Sequence, residues 1–163
     1  MTALLKAGRV SADTFTTVGA DDELPAGDII VSLERWRAER EALQQRPGKL
    51  GVRLKSDEPP AMIADDLDIL AVVAVEFPVF RDGRGYSHAR LLREQYGFRG
   101  EVRAVGEVLL EQLHFMVRAG FDAFEIDSDD PERDFAVAAG EFSVWYQPAA
   151  DERPSALELR LRS

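Results

Sequence analysis

Along the chain, short consecutive apolar runs alternate with longer segments in which apolar residues recur every three or four positions. The first run, "DIIVS" at 28–32, predicts a buried strand, and "LERWRAEREALQQR" after it predicts a helix with Leu33, Trp36 and Leu43 as its apolar stripe, stopped by Pro47-Gly48. "LGVRLK" predicts a second strand, and "AMIADDL" a short helix after Pro59-Pro60, since proline is tolerated at a helix start. "DILAVVAVEF" is the clearest strand, apolar on consecutive positions as expected when both faces are covered. The alternation continues with a helix capped by Ser87 and running to Tyr96, where Gly97 suits a left-handed C-cap. A strand "EVRAVG", a helix "EVLLEQLHFMVRAG" closed by Gly120, and a strand "DAFEID" follow. "SDDPERDFAVAAGEF" predicts a helix with Ser128 or Asp129 as cap and Pro131 near its first turn, and "SVWYQP" a last strand.

Strands alternating with helices predict an α/β fold with right-handed crossovers and a mostly parallel open sheet, or partial barrel, of about five or six strands. A closed eightfold barrel requires more strands than this. The organisation is an N-terminal extension over 1–27, which shows little periodicity and ends in the loop-like "GADDELPAG", an α/β domain over 28–148, and a charged C-terminal tail over 149–163.

Composition narrows the chemistry. The 163 residues are 45% hydrophobic and 31% charged, a balance expected of a soluble globular domain. The longest apolar run, Ile69 to Val75, falls far short of the ~20 residues that cross a bilayer. No secretory signal is legible, and a cytoplasmic location is the plain expectation. The absence of cysteine removes disulfides, thiolate nucleophiles and cysteine-held zinc or iron–sulfur clusters. With two histidines, His88 and His114, no metal site is expected, and the sequence carries no flavin or nicotinamide fingerprint, so no cofactor is expected either. A net charge of −10 argues against nucleic acid and anionic membranes as partners.

In a parallel α/β sheet, ligands gather beyond the carboxyl ends of the strands. Lys55, Glu76, Glu107, Asp127 and Asp129 follow or end strands there, and "FRDGRGYSHARLLREQYGF", residues 80–98, enters at the same edge. In that loop, Arg81, Arg84, Gly85 and Ser87 have the chemistry of an oxyanion cradle: glycine-exposed amides, a helix N-terminus and guanidinium groups. The same residue types also build an ordinary turn, with Ser87 as cap and the arginines paired to acids. Arg103, inside an apolar strand, calls for a carboxylate partner, with Glu76 and Glu107 the first choices. Glu76, Arg103 and Glu107 are therefore the catalytic candidates, should there be catalysis. His88 falls in the first turn of a helix, His114 reads as a semi-buried histidine, and Asp65, Asp66 and Asp68 read as acidic surface.

Residues 77–124 carry a resemblance. Asp82-Gly83-Arg84-Gly85-Tyr86-Ser87, Ala89-Arg90-Leu91-Leu92-Arg93, Arg103-Ala104-Val105-Gly106 and Gly120-Phe121-Asp122-Ala123-Phe124 resemble the core of an uncharacterised bacterial family, a domain of unknown function. Genes of that family accompany those for assimilatory sulfite reductase and phosphoadenylylsulfate reductase. Its members often have Cys where this chain has Ala119, and some have Asp at Glu107, so a thiol-based role does not carry over. The resemblance implies a place in assimilatory sulfate and sulfite reduction. One reading is an accessory or regulatory, non-catalytic protein, with sulfite reductase or another enzyme of the pathway as partner and self-association open. The other is an enzyme, described for the family as an oxidoreductase.

Overall fold

The computed structural model describes residues 2–78 and 83–140, the last two of these in backbone only. Arg81, Asp82, the expected strand "SVWYQP" and the C-terminal tail lie outside the described residues. In chain order the elements are β1 (Thr2–Lys6), β2 (Arg9–Ser11), β3 (Phe15–Thr17), β4 (Asp28–Ser32), α1 (Leu33–Gln45) and β5 (Leu50–Leu54). After a 3₁₀ segment at Pro60–Ile69 come β6 (Val72–Phe77), α2 (Arg84–Arg90) with a π-helical turn at Leu91–Gln95, β7 (Glu101–Gly106), α3 (Leu113–Ala119), β8 (Ala123–Asp127) and α4 (Pro131–Gly140).

The α/β class holds, but the sheet differs from the expectation. It has eight strands in the order β2-β1-β8-β7-β6-β5-β4-β3, and it is mixed. Strands β3 to β8 pair in parallel, whereas β1 lies antiparallel to both β8 and β2. The segment before Asp28, read as aperiodic, supplies three of these strands. Its strands are short, and alternation over three to five residues, interrupted by Ala7-Gly8 with φ of 53° and 78°, leaves little period to read.

Chain length makes the sheet curl. Strands β2 and β3 occupy opposite edges, yet only residues 12–14 join them. Seven strand spacings laid flat would separate the edges by about 34 Å. The steps from Ser11 to Phe15 reach at most about 14 Å. The sheet is therefore rolled into an open half-barrel, with the 12–14 connection crossing its mouthward gap.

The two faces of this roll are built from alternate residues. Ile29, Val31, Val52, Leu54, Val73, Val75, Val102, Ala104, Phe124 and Ile126 face outward and form the main core with the helices. Helix α1 covers β4 and β5, α2 covers β6, and α4 covers β1 and β2. Ser32 caps α1 by accepting from the Arg35 N–H at 3.1 Å, and Trp36 donates to Asp66 at 2.8 Å beneath it. The inner face has a small apolar cluster of Ile30, Val72, Ala74 and Val105 with Phe15, and also carries the charged side chains of Arg53, Glu76, Glu101, Arg103 and Glu125.

Candidate functional site

The inner face is organised in rows set by strand register. Arg53, Ala74, Arg103 and Ala123 lie side by side on β5 to β8, and Glu76 pairs with Val105 one row nearer the carboxyl edge. Leu4 of β1 faces Glu125, and Thr2 faces Asp127, so the start of β1 borders the same edge.

Arg103 is 1% exposed, in keeping with a charge inside an apolar strand. Its partners, however, are Glu101 on its own strand, at 2.7 Å, and Asp13 of the edge-bridging segment, at 3.0 Å. Glu76 and Glu107 do not pair with it. Glu76 accepts from Arg53 Nε at 3.0 Å, and Glu107 is exposed beyond the strand end. The reason is the roll of the sheet, which carries Asp13 over the middle strand, an encounter that linear order cannot show. The Phe15 ring lies 5.8 Å from the guanidinium carbon and completes the enclosure. Burial opposes the charge of Arg103, but the hydrogen bonds and charges of Glu101 and Asp13 prevail and raise its pKa.

Above this sealed layer the carboxyl edge opens into a cavity of about 410 Å³, lined by Thr2, Arg53, Val105 to Leu109, Glu125 and Asp127. Glu107 and Asp127, named from the sequence, are thus brought together, with Glu76 behind them on Arg53. Arg53 and Glu125 were missed. Both stand at alternate positions within "GVRL" and "AFEI", where a strand covered on both faces would be apolar. Glu125 is half-buried, and burial pushes its carboxyl pKa up, against the lowering effect of Arg103. Lys55 and Asp129 are exposed beyond their strands and do not line the cavity.

The loop residues sort differently. The helix begins at Arg84, with Gly83 in the cap position, so Ser87 is an exposed residue inside α2 and does not cap it. Gly85 is buried, and a Cβ there would stand 2.6 Å from the Phe77 ring. Its glycine lets α2 lie close on β6. Exposed Arg84 reaches back to Ser56 Oγ at 3.1 Å, at the end of β5. Two more motif residues are scaffold: Arg93 donates to the carbonyls of Gly120, Phe98 and Gly100 at 2.7–2.9 Å, and Asp122 accepts from the Val102 N–H at 2.8 Å. Gly106, with φ of 85°, brings the chain against the Phe77 carbonyl, 2.7 Å from where a Cβ would be. His88 and His114 are both 7% exposed, the latter with its ring tilted 40° against that of Phe115, centroids 3.8 Å apart. Asp66 is taken up by Trp36 and Arg40. Among the described residues no helix is long and apolar enough to cross a membrane.

Comparison with curated proteins finds no match. A family model described as "Bacterial protein of unknown function (DUF934)" matches residues 51–157, which include every residue that lines the carboxyl-edge cavity except Thr2. The chain belongs to this bacterial family.

Proposed function

We propose that the protein is an accessory or regulatory component of assimilatory sulfite reduction, and that it works by docking a partner enzyme at the carboxyl edge of its curled sheet. The pathway rests on the resemblance; the docking mode rests on charge. The cavity at this edge presents Glu107, Glu125 and Asp127 against one guanidinium, Arg53, whose charge Glu76 already balances. That surplus of carboxylates suits a basic surface element of another protein better than a bare oxyanion. Arg84, held on Ser56 beside the same edge, adds a local positive point and leaves the 81–88 loop a place in the interface.

A deletion strain grown on single sulfur sources tests the reading. Growth on sulfide with failure on sulfate and on sulfite is expected. Normal growth on sulfite refutes it.

A second reading, an enzyme, is favoured by Glu125, whose raised pKa within a cavity is the condition of a general acid. Glu125→Gln separates the two. It abolishes complementation if this carboxyl transfers a proton, and leaves most of it if the edge only docks a partner.

A further inference from the structure

On the helical face of the sheet, α2 and α3 leave a cavity of about 420 Å³ between them, lined by Tyr86, Arg90, Gln112, Phe115, Arg118 and Ala119. Small-molecule sites typically measure ~300–1,000 Å³. Its charges are both positive, in a chain whose net charge is −10. One of its rings, Phe115, is 53% exposed, a large apolar surface left uncovered at the cavity. The other, Tyr86, is anchored edge-on to Phe77 at 5.4 Å and so held in place by the core. Ala119 lines the cavity with only a methyl group.

From this lining we infer a ligand site for a planar aromatic ring that carries an oxyanion, the chemistry of a nucleoside monophosphate. The rings of Tyr86 and Phe115 offer faces and edges to an aromatic system. The guanidinium groups of Arg90 and Arg118 suit a phosphate, sulfate or carboxylate, which they can bind through paired N–H donors. Gln112 supplies an amide able to donate and accept, as a heterocycle requires. Arg90 also stands 3.8 Å from Glu94 on the same helix, an exposed and loose pair that an oxyanion can displace. Burial raises the Tyr86 phenol above its ordinary pKa, so at neutral pH its hydroxyl is a neutral donor and adds no negative charge. The site shares no lining residue with the carboxyl-edge cavity and does not depend on the docking role.

Titration calorimetry on the full chain with AMP, adenosine and inorganic phosphate tests the inference. AMP is expected to bind saturably and at least tenfold more tightly than adenosine or phosphate alone. Arg90→Glu and Phe115→Ala alter exposed side chains and are expected to keep the wild-type melting temperature while weakening AMP at least tenfold. Arg37→Glu, a charge reversal on the exposed side of α1, controls for the overall field and leaves AMP binding unchanged. AMP binding no tighter than phosphate, or equal in wild type and both cavity variants, overturns the assignment.

Discussion

The two faces of the sheet are made by the same strands and solve opposite problems. Outward, Val73, Val75, Val102 and Ala104 meet the helices and need no partners beyond good packing. Inward, the neighbouring positions on the same strands are Ala74, Glu76, Glu101, Arg103 and Val105, and each charge there needs a counter-charge to remain. The inner face also changes with depth. Arg103 is sealed between Glu101 and Asp13, whereas Arg53, in the same row, has a side chain 32% exposed and opens to the cavity. One arginine holds the roll together and the other faces the open cavity.

Breaking the sealed layer has the largest expected effect. Arg103→Met takes the ion pair from Asp13 and leaves Glu101 with Lys6 alone, and a loss of about 3–5 kcal/mol is expected in denaturant unfolding. A loss under 1 kcal/mol would mean that the inner face tolerates unpaired charge. Gly85→Ala tests the outer face. Its new methyl meets the Phe77 ring, and overpacking of about 1–3 kcal/mol is expected in the same assay.

Two serines sharpen the contrast at smaller scale. Ser32 caps α1 and Ser32→Ala should cost about 1 kcal/mol, whereas Ser87→Ala, inside α2, should stay within about 0.5 kcal/mol of wild type. Equal effects would return Ser87 to the capping role that its sequence context suggests.

The last and smallest effect is read in pH. Burial raises the Glu125 pKa, so the folded state holds this proton more tightly than the unfolded chain. Its contribution therefore turns unfavourable as pH rises from the ordinary glutamate range through the raised value. Glu125→Gln should be more stable than wild type at neutral pH, and the difference should shrink on acidification. A difference that grows toward low pH would place Glu125 among the stabilising carboxylates instead.

What the sequence disclosed follows the same division. The outward positions announced themselves, because consecutive apolar runs such as "AVVAV" mark strands wherever the helices lie. Gly97 and Gly120 also stand where expected, with φ of 63° and 120° at their helix ends. The inner face was harder to read. Arg103 signalled its burial, yet its partner Asp13 lies 90 residues away, in a segment whose strands are three to five residues long. Gly85, in the glycine-rich loop, is ambiguous for a related reason. Gly85 is where it is because a ring packs beneath it, and a close approach of helix to strand leaves the same trace in a sequence as a cradle for an anion. Much of the motif that carries the resemblance is thereby explained as scaffold, Gly85 and Gly106 where β6 and β7 end, and Arg93 and Asp122 where β7 and β8 begin.

The central claim is that this edge, and not the sealed layer beneath it, is the working surface. Complementation of the deletion strain on sulfite by Glu107→Lys/Asp127→Lys, which reverses the carboxylate surplus, tests it most directly, provided the variant's melting stays close to that of wild type. Glu107 and Asp127 both line the cavity, and neither belongs to the buried Arg103 cluster. The account predicts a folded protein that fails to restore growth. A folded variant that restores growth as fully as wild type would contradict it.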